Sequence, residues 1–303
     1  MSEKIQVQRT DDLIQPFQID SMSAQGRLVR LGAAVDAILS AHEYPERVAE
    51  LLGEGLALAA LIAGSFKFDG VMTLQVNGNG PVPILVADIT SDGGMRGYAR
   101  FDPERLADNP STGGPTGPVP ALLGFGHMAF TIDQGLDTQR HQTIVALEGL
   151  TLADCAHDYL RRSVQIEGAV KLAAGRTAEA GCWRAAGLLV QRAPSDRRQR
   201  LSGEAALPED EDSWRRAVAL IGSAKAAELL NPALHPHRLL YQLFHEDGVR
   251  VFDNTALDMN CRCSWEQGGQ CTGLVLQGGN RNHEGRRPRK RDLRILRRRI
   301  CLR

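Results

Sequence analysis

Six cysteines are the residues of this chain best suited to metal or redox chemistry, and they are unevenly placed. Cys155 and Cys182 stand apart in apolar surroundings, where a thiol is expected to act as a small core residue. Cys261, Cys263, Cys271 and Cys301 crowd into the last 43 residues. Cys261-Arg262-Cys263 sets two thiols one residue apart, and thiolates so spaced can grip zinc through a turn. A tetrahedral site needs two further ligands, commonly from a CxxC, and the chain contains none. Cys261, Cys263 and Cys271 with His283 or Cys301 would make four ligands at a spacing that matches no common zinc module.

Other chemistry finds less support. There is no GxxxxGK[ST] phosphate loop, no GxGxxG and no GxSxG nucleophile elbow. Gly78-Asn79-Gly80-Pro81 reads as a hairpin turn, since Pro81 lacks an N–H that a phosphate would need. His157 and Ser163 are near in sequence without a motif, so catalysis by Cys155 or His157 is not expected. His127 sits in a strand-like run and is expected to be a satisfied core histidine. His235, His237 and His245 form no HExxH, so solvated or capping roles are expected of them.

The elements that must position these residues follow from periodicity. Arg27–Gly64 reads as helix, with Leu28, Leu31, Val35, Ile38 and Leu39 at helical spacing and a break at Tyr44-Pro45. Strands are expected at 71–76, 84–89, 95–101, 126–132 and 142–147, with 102–120 a Pro/Gly-rich loop. A helix over 152–163, exposing Asp154 and Asp158, precedes strands over 164–172 and 182–191. The first 190 or so residues thus read as an α+β domain on an antiparallel sheet. A charged linker over 193–212 leads to an amphipathic helix over 214–230, with Trp214, Val218, Ile221 and Leu229 on its apolar side. A short helix over 239–244 and a strand over 249–252 precede the cysteine-bearing tail. The expected division is an α+β core over 1–192, a helical linker over 193–245 and a C-terminal segment over 246–303, without a packed core from 265.

Composition sets the outer bounds. The chain has 303 residues, 43% apolar and 24% charged, an ordinary globular balance. No apolar run approaches the length of a membrane span, and the N-terminus lacks a secretory pattern, so a cytosolic location is expected. Six cysteines in the cytosol argue against a disulfide framework. The zero net charge hides an asymmetry. Trp265–Arg303 carries 11 Lys/Arg against 3 Asp/Glu, a net of +8, and the remainder carries −8. A basic nucleic-acid arm at 281–303 is one reading of this, but no aromatic residues interleave with Arg286–Arg291.

From Val7 to Ser264 the chain resembles the heat shock protein 33 family of redox-regulated holdase chaperones. The resemblance rests on Gly26-Arg27-Leu28-Val29-Arg30-Leu31-Gly32, Phe66-Lys67-Phe68-Asp69-Gly70 and Gln75-Val76-Asn77-Gly78-Asn79-Gly80-Pro81. It continues through 87–100, 142–166 and 230–252 to Cys261-Arg262-Cys263. It implies an α+β core, a helical linker and a C-terminal zinc domain held by four thiolates from a CxC and a CxxC. It further implies that oxidation forms two disulfides, expels zinc, unfolds the linker and exposes an apolar surface for unfolded client proteins, with a homodimer when oxidised. Cys261 and Cys263 would then be redox and metal residues in a protein that needs no nucleotide, is not an enzyme and engages neither membrane nor nucleic acid.

The resemblance stops after Ser264, and the second thiol pair is missing. A shift of reading frame accounts for this. Displaced by one nucleotide, Leu293-Arg294 and Leu296-Arg297 each permit the cysteine codon TGC, and their neighbours permit Thr-Cys-Glu-Phe-Cys. The chain as written is therefore expected to hold zinc weakly or not at all.

Overall fold

The structure is a computed structural model, and it describes residues 10–22, 24–108, 117–134, 141–177, 181–192 and 208–260. Among the described residues twelve strands form two six-stranded sheets. The first sheet runs β10 (Val249–Val251), β1 (Leu13–Ile19), β2 (Ala24–Leu31), β9 (Trp183–Arg192) and β8 (Gly168–Arg176), with β11 (Thr255–Ala256) also on β1. The second runs β12 (Asp258–Met259), β5 (Gly94–Arg100), β4 (Ile84–Thr90), β3 (Val71–Gly78), β6 (Gly126–Asp133) and β7 (His141–Ala146). Every pairing is antiparallel except that of β12 with β5. The fold is therefore α+β, as the sequence implies.

Between the sheets lies α2 (Glu46–Ala63), preceded by α1 (Ala33–Ser40). Fourteen of the eighteen residues of α2 are buried. Apart from the stripe Glu46, Arg47, Glu50 and Glu54 the helix is apolar, and it touches β2, β8 and β9 on one side and β3, β4 and β5 on the other. Its Gly53, Gly55, Ala57, Ala59, Ala60 and Ala63 keep the rod thin enough for both sheets to approach. Leu52, Leu56, Leu61, Val29, Leu31, Leu74, Val76, Leu85 and Leu189 join it in the main apolar cluster.

Several elements differ from expectation. Arg27–Leu31 belongs to strand β2 and not to a helix. Both faces of β2 are buried, Leu28 on one and Val29 and Leu31 on the other, so no alternation marks it as a strand. Running into α1 at Gly32, its leucines fall by coincidence at helical spacing. β1 was not anticipated at all, since Gln15, Pro16 and Gln18 interrupt its apolar residues. The expected loop over 102–120 contains α3 (Pro103–Ala107), capped by the Asp102 carboxylate, which accepts from the Glu104 and Arg105 amides. The helix expected over 152–163 is α4 (Leu152–Asp158) followed by a π-helical turn over Tyr159–Val164. Asp154 is exposed as expected, and it closes a capping box with Thr151. Cys155 is buried, but Cys182 is exposed at the end of the β8–β9 hairpin and is no core residue. His127 is also exposed, on the outer face of the second sheet, where its Nε2 lies 3.2 Å from Asn77 Nδ2.

Candidate functional site

The outer face of the first sheet is covered by three helices: α5 (Pro208–Ser223), α6 (Ala226–Leu229) and α7 (Pro236–Phe244). They meet it through a second apolar cluster. From the sheet come Phe17, Ile19, Ala24, Leu28, Ala169, Ala173, Ala186, Leu188 and Val190, and from the helices Ala217, Ile221, Ala224, Leu229, Leu239, Leu240 and Phe244. The helix expected over 214–230 breaks at Ala224-Lys225 into α5 and α6. Of the expected apolar side, Ile221 and Leu229 are buried and Trp214 packs against the cluster, whereas Val218 is 39% exposed.

The aromatic anchor of this cover is built from three residues. Gly26 faces Phe17 across β1 and β2, and a Cβ on Gly26 would come within 2.1 Å of the Phe17 ring. The absent side chain lets that ring lie across the sheet, where Phe244 stacks on it at 5.6 Å and 28°.

Polar contacts ring the apolar patch. Arg30 is fully buried beside Leu28, and its guanidinium donates to the carbonyl oxygens of Asn231 and Leu234, between α6 and α7. The Asn231 contact is 2.5 Å. Asp11 lies 3.4 Å from Arg30 Nε and also pairs with Arg184. Burial pulls the Arg30 guanidinium below its usual range, and the Asp11 carboxylate offsets part of that pull. Next to it, His237 Nε2 donates to Gln15 Oε1 at 3.1 Å, and Gln15 Nε2 donates to the Phe252 carbonyl at 2.5 Å. His235 caps α7, its Nδ1 accepting from the His237 amide at 3.2 Å. At the far side Arg192 pairs with Glu167 at 3.0 Å and Glu211 at 3.3 Å, with its guanidinium 5.3 Å from the Trp214 ring. Arg216 of α5 holds Glu246 at 2.5 Å and Asp247 at 3.3 Å.

After α7 the chain returns to the core. β10 and β11 pair with β1, Leu257 is fully buried, and β12 pairs with β5. Gly93, at φ +89°, lets that strip pass, since a Cβ there would meet the Ala256 oxygen at 2.2 Å. The Asn260 amide donates to the Met95 oxygen at 3.0 Å. The residue before Cys261 is thus fixed at the edge of the second sheet, and Phe252 of the same strip accepts from Gln15 on the first sheet. Phe244 and Asn260 are the two ends of one segment laid across the seam between the sheets.

Cys261 and Cys263, with Cys271, His283, Cys301 and the basic stretch 281–303, lie outside the described residues. Within the sequence the zinc donor set is incomplete, since two thiolates stand at 261 and 263 and no CxxC supplies the other pair. The residues present do not fit a four-thiolate site, and no step below runs through zinc. Among the described residues no three His, Cys, Asp or Glu converge on a possible metal position. His157 is not joined to Ser163 as a nucleophile pair. Its Nε2 accepts from the Val170 amide at 2.8 Å, and burial lowers its basicity. Sequence reasoning missed Arg30, Gln15 and Phe17, which lie in stretches read as helix or left unassigned. Their signal was an arginine within an otherwise apolar run, Leu28-Val29-Arg30-Leu31.

Two sheets around a central helix, with a helical cover over a second apolar face, define a class of α+β protein with two apolar clusters. The family model described as Hsp33 protein matches residues 12–271. The 33 kDa chaperonin of Caulobacter vibrioides is 43% identical over 256 residues, covering 84% of this chain and 82% of the relative. That of Pseudomonas fluorescens is 38% identical over 258 residues, covering 84% and 78%. The crystal structure of the 33 kDa chaperonin from Thermotoga maritima shares the fold, with a TM-score of 0.67 and 21% identity, covering 87% of this chain and 84% of that one. The chain belongs to the Hsp33 family of chaperones. No helix among the described residues is long and apolar enough to cross a membrane.

Proposed function

We propose that this protein is a cytosolic, ATP-independent holdase that binds unfolding or oxidatively damaged proteins through the face of the first sheet beneath 208–244. One observation carries this reading: a second apolar cluster, separate from the main core, lies between the first sheet and the segment 208–244. Among the described side chains of α5, Ala217 and Ile221 are buried, and one of the two is an alanine. A segment that buries so little per residue opens well below the free energy of global unfolding. Opening uncovers Phe17, Ile19, Leu28, Leu188 and Val190 as one patch, large enough in character to bind apolar segments of a client.

Cys261 and Cys263 are the proposed redox residues, coupled to the cover through the strip 245–260. Without the second thiol pair their oxidation has a weaker hold on the cover, and heat becomes the stronger trigger. Oxidation-linked homodimerisation is part of the same family reading. The test is light scattering of a heat-unfolding enzyme with the full chain, with and without peroxide and without nucleotide. Suppression of aggregation on warming, changed little by peroxide, is expected. No suppression under either condition would overturn the holdase reading.

A further inference from the structure

The open edge of the second sheet points to a second means of client capture. Among the described residues β7 pairs with β6 and with no other strand. The phase of its hydrogen bonds follows from the neighbouring turns. The Leu147 amide donates to the Gly126 oxygen at 3.0 Å, and the Asn79 amide to the Phe125 oxygen at 3.0 Å. Hydrogen-bonded and non-hydrogen-bonded pairs alternate along antiparallel strands. Val145, Thr143 and His141 therefore direct their amides and carbonyls to Met128, Phe130 and Ile132 of β6. Gln142, Ile144 and Ala146 direct theirs away from the sheet. None of these three outward amide–carbonyl sets has a backbone partner among the described residues.

The other edges are managed. β8 has Val170 bonded to His157, carries Lys171 and Arg176, and is flanked by α2 and α4 on one face and by α5 and α6 on the other. β10 is three residues long and holds Arg250, and β12 is two residues long. Short edges, edge charges and covering helices are how folded proteins prevent strand addition. β7 packs one face against α4 and the π-helical turn, but it is six residues long and His-Gln-Thr-Ile-Val-Ala contains no Pro, Gly, Asp, Glu, Lys or Arg. Ile144 is 57% exposed.

We propose that the β7 edge captures an extended segment of a non-native polypeptide by antiparallel or parallel strand addition. This rests on the holdase reading and names a second surface for it. The groups offered are main-chain donors and acceptors at strand spacing, so the partner must be extended with its own main chain unpaired. Unfolded chains present such segments throughout, and folded proteins hide them. The flanking Gln142, Ile144 and Ala146 are small or uncharged and impose little sequence selection, which suits a binder of many clients.

The test is site-resolved hydrogen exchange on the full chain, with reduced, carboxymethylated α-lactalbumin as a permanently unfolded probe. Its binding is followed separately by fluorescence anisotropy. The Gln142, Ile144 and Ala146 amides are expected to exchange freely alone and to slow about 10-fold or more with saturating probe. Thr143 and Val145, already bonded to β6, serve as the internal reference. Ile144→Pro removes an outward amide without touching the β6 ladder, and is expected to weaken probe binding about five-fold. Ile144→Lys keeps every backbone bond and is expected to act in the same direction. Bound probe with all three amides unchanged overturns strand addition and leaves the holdase reading standing. Slowing that follows chain concentration without probe makes the occupant a second copy and overturns the proposal. Absence of probe binding under any condition overturns both.

Discussion

Replacing Arg30 with methionine should open the helical cover while leaving the core intact. The guanidinium is fully buried on the sheet side, and its two donor bonds end on the Asn231 and Leu234 carbonyls of the cover. Methionine fills much of the volume but donates nothing. A hydrogen bond from a charged donor contributes about 1.5–3 kcal/mol, and two such bonds are lost. Relief of the desolvation that already depresses the Arg30 pKa subtracts from it. A net loss of about 3 kcal/mol results, and since both carbonyls belong to 231–234 it falls on cover opening. At about 1.4 kcal/mol per factor of ten, the open population rises on the order of 100-fold. Hydrogen exchange of the Leu239–Phe244 amides reads this directly, with the amides of α2 as reference. Exchange in α7 should quicken about 100-fold while α2 is unchanged, and an environment-sensitive apolar dye should bind more strongly. Equal quickening in α2 and α7, or none in either, would refute the idea that Arg30 latches a separable segment.

Two other outcomes follow from the same physics. Glu54 sits in the central helix, where burial and, less strongly, Glu50 raise its pKa from 4.5 to about 7. The folded state thus holds a proton that the unfolded state has lost, so stability contributed by this group is present below about pH 4.5 and falls away through pH 7. Glu54→Gln should therefore stabilise the protein by about 2–3 kcal/mol at pH 8 and by little at pH 4.5, read from denaturant midpoints at the two pH values. Zinc measured on the purified full chain should be well below one equivalent, with little change in melting temperature on adding a chelator. One tightly held equivalent on four thiolates would contradict the incomplete donor set.

Legibility in the sequence followed the physics of each element. β3, β4 and β6 were readable because one face is buried and the other is not, which leaves Met72, Leu74 and Val76 alternating with Thr73 and Gln75. β2 was not, because the core and the cover bury both of its faces. The feature that hid β2 is the feature that makes it functional: Leu28 and Arg30 face the cover, while Val29 and Leu31 face α2. Phe17 shared that fate, its contact with Gly26 and Phe244 being set by partners 9 and 227 residues away in the chain. The CxC and the change of composition after Ser264 are sequence features alone, since Cys261 and Cys263 lie outside the described residues. No local pattern reveals that β7 ends a sheet, because an edge is defined by the neighbour it lacks.

The central claim is that the face beneath 208–244 is the client surface. Ile221→Asp tests it most directly, since it places a carboxylate at a fully covered position on the cover and alters no residue of the sheet. The full-chain variant is compared with the parent at 25 °C for suppression of light scattering by a denatured enzyme diluted from guanidinium, with hydrogen exchange confirming that α5–α7 are open. Suppression in the variant without heat or peroxide, where the parent shows little, is the expected result. An open cover with no gain in suppression would contradict the account.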